Sequence, residues 1–519
     1  MKVFKLAVRL CLGATWLALI LTRAILTALV RLLEYLVSPA ALPSTTHGSA
    51  RWASPWEIIR SGVIDGTGLI VGKALWRFVR FNAEGFVLLF APTRTGKGYS
   101  VVIPNLLSYP GSVITIDIKG ENFAVTARAR RSKGPVYTLN VMSPEDSDGL
   151  NPLDMIQVGT WHEADDAKQL ADLLIIPTFD GEHWDEKARA LLGALVLYAC
   201  HKYADMPELR TLAQVRALAA QEWPGLEATL LDAQAMASVS LREEATSLLS
   251  MEKSDEFKSI KSTVDKAMGI WSIDKPAGMV SLRSDFRFED LNARVASVYV
   301  MVPEEKLSIY RGFLRTVIGC ALIAMTRQKR RLPETKTLLL LDEAAALGRL
   351  QPIEDGVGFL ATYMNMIMVW QDLDQLERTY SRARSIIANA GCKVAFNVSD
   401  IDTARMLADS IGHTTTLSRS AGESQSDIDV RRRQSSQGVS EAARYLLDPA
   451  EIMRLADNCA LILMPRQLPY PILARKVRYW AERRWHGLWD HWRATGPGPA
   501  SLTPASAVQI ADELVDEVP

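Results

Sequence analysis

One short segment constrains the fold of this chain more than any other. Residues 86–90 form an apolar run typical of a buried strand, and the polar loop that follows carries Gly96 and Lys97. The next residues, Tyr99 to Leu107, can form a helix. A strand, a loop with glycine and lysine, and a helix together are typical of a phosphate-binding loop, in which backbone N–H groups and the ammonium surround a triphosphate. The segment therefore predicts an α/β fold built around a nucleotide site.

The loop departs from the usual pattern at both ends. Ala91 stands where a glycine is usual, and Gly98 stands where a serine or threonine hydroxyl usually ligates Mg²⁺. Ala91 fits if it keeps a negative φ, whereas Ser100 comes two residues too late to replace the hydroxyl directly. A simple Gly-Lys turn after a core strand is the alternative interpretation. The candidate nucleotide-binding residues are those of the loop: Ala91, Pro92, Thr93, Arg94, Thr95, Gly96, Lys97, Gly98 and Tyr99.

A second apolar run ends in two adjacent carboxylates. Residues 337–341 lead into Asp342 and Glu343, as a central parallel strand does when it brings acids to the carboxyl edge of an α/β sheet. We expect Asp342 to hold Mg²⁺ through water and Glu343 to polarise the attacking water. Acid pairs after strands also occur as helix N-caps, so the interpretation gains its weight from the loop. A third strand, 366–370, ends at Gln371, whose amide could sense a γ-phosphate.

The composition argues against several classes of protein. The 519 residues include 59 basic and 59 acidic side chains, so no global positive field points to nucleic acid. Any polyanion must meet local clusters or a ring of subunits. The five scattered cysteines suggest neither a disulfide framework nor a zinc site, which fits a reducing cytoplasm.

The N-terminal segment predicts attachment to a membrane. Residues 10–30 are apolar except for Arg23 and a few small polar residues. The uncharged stretch 10–22 is about 20 Å long as a helix, which is short of the roughly 30 Å hydrocarbon core. Basic residues before position 10 favour a cytoplasmic N-terminus, and an ATPase domain must also be cytoplasmic, whereas a single span would put the two on opposite sides. A thin hairpin turning near Arg23, or a helix in the interface, therefore fits better than one span. A cleaved signal peptide would carry that domain to where there is no ATP.

Patterning along the chain predicts six regions. Strands alternate with helices on both sides of an alanine- and leucine-rich stretch that has helical periodicity only. The serine- and charge-rich stretch 418–438, with arginines at 431–433, is expected to be a solvated loop, or a basic loop lining a nucleic-acid channel. The regions are a membrane anchor (1–37), a linker and entry to the motor (38–85), the first part of a nucleotide-binding domain (86–158), an inserted all-helical domain (159–275), the second part of the nucleotide-binding domain (276–485) and a C-terminal tail expected to be disordered alone (486–519).

Several ordered segments together resemble one family. The loop 91–98 followed by 102–107 is similar to that of the TraG-type coupling proteins of type IV secretion and conjugation systems, in which glycine commonly follows the lysine. The resemblance extends from about His47 to Tyr479. Other segments that agree with the family are 47–53, 117–121, 151–154, 284–286, 341–343, 371–372 with 375–376, and 476–479.

The resemblance implies a RecA-like P-loop NTPase that forms a homo-hexamer, uses ATP and Mg²⁺, and carries its all-helical domain on the cytoplasmic side. Such proteins are tethered to the inner membrane, with cytoplasmic catalytic domains, and hand relaxase-bound single-stranded DNA or protein substrates to the secretion channel. By motif match, Lys97 binds phosphate, Asp342 and Glu343 serve Mg²⁺ and water, and Gln371 couples nucleotide state to movement. Two alternatives stay open: a DNA translocase similar to the FtsK type, and a membrane scaffold that binds nucleotide without hydrolysis.

Two features of the family have no assigned counterpart in this sequence. Hydrolysis in a hexamer usually needs an arginine from the neighbouring subunit, and Arg349, Arg378, Arg382 and Arg384 all lie near the relevant strand ends. The sequence does not choose among them. The family typically has two membrane spans separated by a periplasmic loop, and residues 1–37 are too few to hold both.

Overall fold

The computed structural model describes residues 45–492, apart from 65, 177–181, 252–254, 328–332 and 425–433, together with positions 22, 26 and 29. The predicted membrane anchor, but for those three positions, and the predicted tail beyond 492 lie outside the described residues. Within the described part of the chain, no helix combines the length and the apolar character needed to cross a membrane. The described residues divide into two compact units, 45–51 with 412–446, and 52–411 with 447–492.

The larger unit is organised by one mixed sheet, which has eleven strands among the described residues. These strands are β1 (Leu69–Ala74), β2 (Arg77–Phe81), β3 (Phe86–Phe90), β4 (Val113–Asp117), β5 (Val136–Asn140), β6 (Ser297–Met301), β7 (Thr337–Leu341), β8 (Met364–Trp370) and β9 (Ala390–Ala395), and, after β10 and β11 of the smaller unit (His413–Ser424 and Gln434–Tyr445), β12 (Cys459–Met464) and β13 (Leu468–Arg475). The spatial order is β2-β1-β13-β12-β9-β3-β8-β7-β4-β6-β5.

The strands from β9 through β3, β8, β7, β4 and β6 to β5 run parallel to one another. The remaining strands, β12, β13, β1 and β2, extend the sheet in antiparallel fashion beyond β9. Every residue of β3, β4, β6 and β7 is buried, which is the pattern of a central sheet covered on both faces. The prediction of an α/β fold with a parallel central sheet is confirmed.

Helices cover the two faces of this sheet. Those of the described residues are α1 (Pro55–Arg60), α2 (Ile103–Ser108), α3 (Glu121–Arg131), α4 (Glu163–Leu174), α5 (Glu182–Lys202), α6 (Leu212–Ala219), α7 (Trp223–Gln234), α8 (Val239–Leu249), α9 (Asp255–Met268), α10 (Pro276–Val280), α11 (Arg311–Arg327), α12 (Gln351–Gly356), α13 (Leu360–Tyr363), α14 (Leu373–Thr379), α15 (Ala383–Asn389), α16 (Ile401–Ile411) and α17 (Pro449–Met453). Between β5 and β6 the described chain forms helices and short 3₁₀ turns but no strand.

Strand β3 shows how the two faces are filled. Phe86, Leu88 and Phe90 belong to a core cluster that includes the long helices between β5 and β6. Val87 and Leu89, which alternate with them, belong to a second cluster on the other face. Because successive side chains of a strand point to opposite faces, one five-residue run joins both halves of the core. The end of β3, where the loop begins, is therefore held in place by packing on both faces of the sheet.

The smaller unit is an antiparallel ribbon of β10 and β11. Residues 47–50 pair with its base, where His47 N donates to Thr415 Oγ1 at 3.1 Å and Ala50 N donates to His413 O at 2.9 Å. The stretch 418–438, for which the sequence predicts a solvated loop or a basic loop lining a channel, is strand at 418–424 and 434–438. The ribbon is held by backbone hydrogen bonds, and its sequence shows no alternation of apolar and polar residues that would have predicted strands. The arginines at 431–433 lie outside the described residues.

A buried guanidinium connects α3 to the sheet. Arg130 donates to Ser297 Oγ at 2.7 Å and to the carbonyl oxygens of Tyr109 and Gly111, each at 2.6 Å. Burial lowers the pKa of Arg130 to about 10, so the side chain stays charged at neutral pH. These contacts fix α3 against the start of β6 and against the connection between α2 and β4.

We expect Arg130→Met to lower the free energy of unfolding by about 3 kcal/mol or more, because buried acceptors would lose a charged donor. Arg128→Met on the same helix is the matched control. Arg128 is 52% exposed and pairs with Asp490, so its loss costs less than about 1 kcal/mol. Urea unfolding of the full chain measures both, and equal shifts for the two variants would contradict the assignment.

Candidate active site

The loop after β3 is held in shape by a hydrogen bond to the neighbouring strand and by another within the loop. Ala91 N donates to Trp370 O of β8 at 2.8 Å, and Thr95 Oγ1 donates to Pro92 O at 2.7 Å. Ala91 keeps a negative φ, as its side chain requires, whereas Arg94 and Gly96 have φ of 63° and 88°. A Cβ at Gly96 would lie 2.2 Å from Cζ of Tyr99. Only glycine fits that position, because both the backbone and the neighbouring ring exclude a side chain.

A π-helical turn, Gly98–Val102, follows the loop and continues into α2. Such turns are rare and frequently occur at functional sites. Lys97 already has helical backbone angles, with φ −52° and ψ −47°. Of the loop residues, Thr93 and Arg94 are exposed, while Ala91 is buried. The first N–H groups of a helix generally lack partners within the helix and can bind an anion, but here Ser100 N donates to Gly96 O at 3.0 Å.

Lys97 reaches across to the end of β7. Its Nζ donates to Asp342 O and to Glu343 Oε2, both at 2.9 Å, and lies 3.6 Å from Asp342 Oδ1. Gln371 Nε2 donates to Glu343 Oε1 at 3.4 Å. The structure thus brings together all four side chains that the sequence patterns singled out. They meet because β8 lies between β3 and β7, and the carboxyl ends of these parallel strands share one edge.

Burial and charge act against each other at this edge. Burial lowers the pKa of Lys97, but Asp342 and Glu343 outweigh it, and the net pKa lies above its ordinary value. Burial raises the pKa of Asp342, and the ammonium of Lys97 opposes only part of that shift. The lysine is therefore fully charged, and the carboxyl of Asp342 gains from any further positive charge placed beside it.

The donor set fits a hard cation. Apart from the ion pair with Lys97 at 3.6 Å, the buried Asp342 Oδ1 has no hydrogen-bond partner among the described residues. A carboxylate oxygen that can take a further partner is a ligand of the type that Mg²⁺ prefers. The described residues contain no group of three or more His, Cys, Asp or Glu that could hold a metal ion by themselves. Mg²⁺ usually binds one or two carboxylates and takes its other ligands from water and phosphate.

Asp117, at the end of β4, is a further acid near this edge. Its carboxyl is 2% exposed and Oδ2 accepts from Phe123 N at 2.7 Å, at the start of α3. Burial raises the pKa of Asp117 to about 7, and the charges of Asp342 and Glu121 add to that shift. The sequence showed charge at this position, but only the structure shows that it is buried.

Residues 476–492, which we call the strap, hold the loop from outside. Lys476 Nζ donates to Thr95 O at 2.6 Å and also to Asn397 Oδ1, and Val477 N donates to Ser100 Oγ at 2.9 Å. Burial lowers the pKa of Lys476 to about 8. Sequence patterns gave the strap no role beyond the family segment 476–479. No local signal could have found the contact, since its partners are 381 residues apart.

The four arginines considered for a neighbouring subunit's site differ in how they are held. Arg349 pairs with the nearly buried Glu354 at 2.7 Å. Arg378 and Arg382 pair with exposed carboxylates and are themselves 79% and 67% exposed. Arg384 lines a surface groove between α14, α15 and α16. Their contacts within one chain do not single out one of them.

Fold and site define a class. In the parallel sheet the lysine-bearing loop follows β3, the paired acids follow β7, and a polar amide follows β8, which lies between them. This arrangement is a RecA-like P-loop fold. Residues 49–506 match the family model described as "Type IV secretory system Conjugative DNA transfer". The chain belongs to this family, and the predicted resemblance to type IV coupling proteins is confirmed.

Known proteins agree with this assignment. Protein VirD4 of Rhizobium rhizogenes is 30% identical over 483 residues, which cover 89% of this chain and 70% of that protein. Conjugal transfer protein TraG of Escherichia coli is 28% identical over 456 residues, 79% of this chain and 71% of that protein. The solved structure of the plasmid coupling protein TrwB in complex with ADP and Mg²⁺ has a TM-score of 0.58 at 16% identity, covering 82% of this chain and 94% of that chain. The protein is thus a coupling protein for conjugative DNA transfer.

We expect the stability of the full chain to depend on pH through Asp117. Its pKa in the folded state lies above the ordinary value of 3.8, so the stabilisation by its proton is complete below about pH 4 and is lost as the pH rises through 7. The slope is on the order of 1 kcal/mol per pH unit. Urea unfolding between pH 4 and 8 should show this slope in the wild type and a smaller one in Asp117→Asn. Asp146→Asn, at an exposed carboxyl, is the control, and an unchanged slope in Asp117→Asn would refute the prediction.

Proposed function

We propose that this protein hydrolyses ATP with Mg²⁺ at the loop 91–99 and uses the energy to drive DNA into a type IV secretion channel. The observation that carries the proposal is the convergence of Lys97 Nζ with both carboxylates, at 2.9 Å from Glu343 Oε2 and 3.6 Å from Asp342 Oδ1. Three charged groups from two distant parts of the chain meet at a loop whose backbone N–H groups suit phosphate. The complex of TrwB with ADP and Mg²⁺ supports the same ligands here.

Each residue has a role in the proposed chemistry. Lys97 neutralises the β- and γ-phosphate oxygens, and in doing so exchanges Glu343 for phosphate as its partner. Asp342 would hold Mg²⁺ through water with its buried Oδ1. The bound ion supplies charge neutralisation for the phosphoryl group that is transferred. Glu343, released from the lysine, orients the attacking water and accepts its proton.

Gln371 connects the chemistry to the rest of the fold. Its amide nitrogen donates to Glu343 Oε1, and its backbone N–H donates to Gln375 Oε1 of α14 at 2.9 Å. A change of partner at Glu343 therefore alters a contact made by the residue that leads into α14. We assign to Gln371 the coupling of nucleotide state to movement.

The partners follow from the family. We propose that the cargo is relaxase-bound single-stranded DNA or secreted protein, received by components of the secretion channel. A homo-hexamer, with an arginine contributed by the neighbouring subunit, would complete the site. The apolar N-terminal segment would tether the ring to the inner membrane, with the catalytic part in the cytoplasm.

A scaffold that binds nucleotide without hydrolysing it is the second candidate, because Gly98 supplies no hydroxyl to Mg²⁺. It predicts nucleotide-dependent assembly, seen by light scattering, without release of phosphate. The FtsK-type alternative predicts a defect in cell division when the gene is deleted. The family match favours conjugative transfer over this alternative.

We expect purified protein to release phosphate from ATP in the presence of Mg²⁺. Lys97→Ala and Glu343→Gln should each lower turnover by about 100-fold or more, as expected for loss of a charge-stabilising group or of a general base. Lys202→Ala, at an ion pair on α5, is the matched control and should leave turnover unchanged. Phosphate release with and without single-stranded DNA is the measurement. Turnover that stays at the wild-type level in both Lys97→Ala and Glu343→Gln would contradict the proposal.

A further inference from the structure

One large aromatic side chain lies beside the loop and has no role in the proposed phosphate chemistry. Trp480, on the strap, is 43% exposed. Its indole packs edge-on against Tyr99, with ring centroids 5.2 Å apart and planes at 64°. The Tyr99 ring in turn lies against the backbone of Gly96, where a Cβ would be 2.2 Å from Cζ. Trp480, Tyr99 and Gly96 thus form a continuous contact from the strap to the loop.

The strap holds this tryptophan in a fixed place. Lys476 and Val477 anchor it to both sides of the loop, through Thr95 O and Ser100 Oγ. Tyr479 packs between Trp480 and Trp489, with centroid distances of 5.1 and 5.3 Å. An aromatic surface that is held in this way loses little conformational entropy when a ligand stacks on it.

The place of Trp480 relative to Lys97 defines what it can bind. A triphosphate bound by this type of loop has its β- and γ-phosphates at the lysine, and its sugar and base continue beyond the α-phosphate. Tyr99 is two residues after Lys97, and Trp480 is the aromatic neighbour of Tyr99. The half-exposed indole is therefore within the reach of a base attached to phosphates in the loop. Every nucleobase has a π-face, and purines offer the larger one.

We propose that Trp480, supported by Tyr99, is the stacking surface for the purine base of the nucleotide bound at the loop. This proposal rests on the proposed function, because it takes the loop as the triphosphate site. In this proposal the strap is the reason why the protein binds a purine nucleotide more tightly than bare triphosphate and more tightly than a pyrimidine nucleotide. Trp480 is a binding residue in this assignment and takes no part in bond cleavage.

Calorimetric titration of the full-length protein with ATP, CTP and inorganic tripolyphosphate tests the assignment. Trp480→Ala should weaken ATP binding by about 5- to 150-fold, the range that stacking of one base on an aromatic side chain contributes. Its affinity for tripolyphosphate should change by less than about 2-fold, and its preference for ATP over CTP should disappear. Trp480→Phe should restore most of the ATP affinity. Trp161→Ala, at a tryptophan that is 97% exposed, is the matched control and should change none of these values.

Three results would overturn the proposal. The first is an ATP affinity that Trp480→Ala leaves unchanged. The second is an equal loss of ATP and tripolyphosphate binding, which would mean that Trp480 only supports the loop. The third is weaker binding of single-stranded DNA by Trp480→Ala with ATP affinity intact, which would make the indole a contact for nucleic acid. The variant Lys97→Ala distinguishes these three results from failure of the proposed function. If Lys97→Ala binds ATP and tripolyphosphate as the wild type does, the loop is not the phosphate site.

Discussion

The contact between Lys97 and the two acids that follow β7 is the interaction on which the rest of the site depends. An ammonium and two carboxylates are expensive to remove from water, and the ion pairs of Lys97 with both acids offset part of that cost and hold the pKa of the lysine above its ordinary value. In the function that we propose, a phosphate bound at the loop would replace Glu343 as the partner of Lys97, and Glu343 would then be free to orient water. A site designed for stability alone would gain more from apolar side chains of the same volume.

The sheet makes this contact possible by the order of its strands. The loop follows β3, the acids follow β7, and β8 lies between them with Gln371 at its end. All three strands are parallel and nearly wholly buried, so their carboxyl ends cannot shift independently. A slip of one residue in β3 would exchange the two buried clusters on its faces. The hydrophobic core therefore fixes the register, and the register fixes the distance between lysine and acids.

The parts that the sequence predicted are those whose signals are local. A strand that runs into a glycine-lysine loop, or into an acid pair, can be recognised within a dozen residues, and the parallel topology then brings Lys97 and Asp342 together. The contacts of the strap and of Arg130 could not be predicted, because their partners are far away in the sequence. From the sequence alone, Lys476 has no feature that distinguishes it from a surface lysine, and only the structure places Thr95 beside it. The ribbon of β10 and β11 escaped for another reason. Its strands are polar and serine-rich, and its pairing is carried by backbone groups that every residue possesses.

The missing hydroxyl at Gly98 and the presence of the strap belong to one physical argument. Gly98 supplies no side-chain ligand, and the residues on either side of it, Thr95 and Ser100, are instead bound from outside the loop by Lys476 and Val477. Because the strap continues directly from β13, the loop is joined to the antiparallel end of the sheet as well as to its parallel centre. The nucleotide site thus has contacts in two directions, from Glu343 through Gln371 to α14 and from Thr95 through Lys476 to the end of β13.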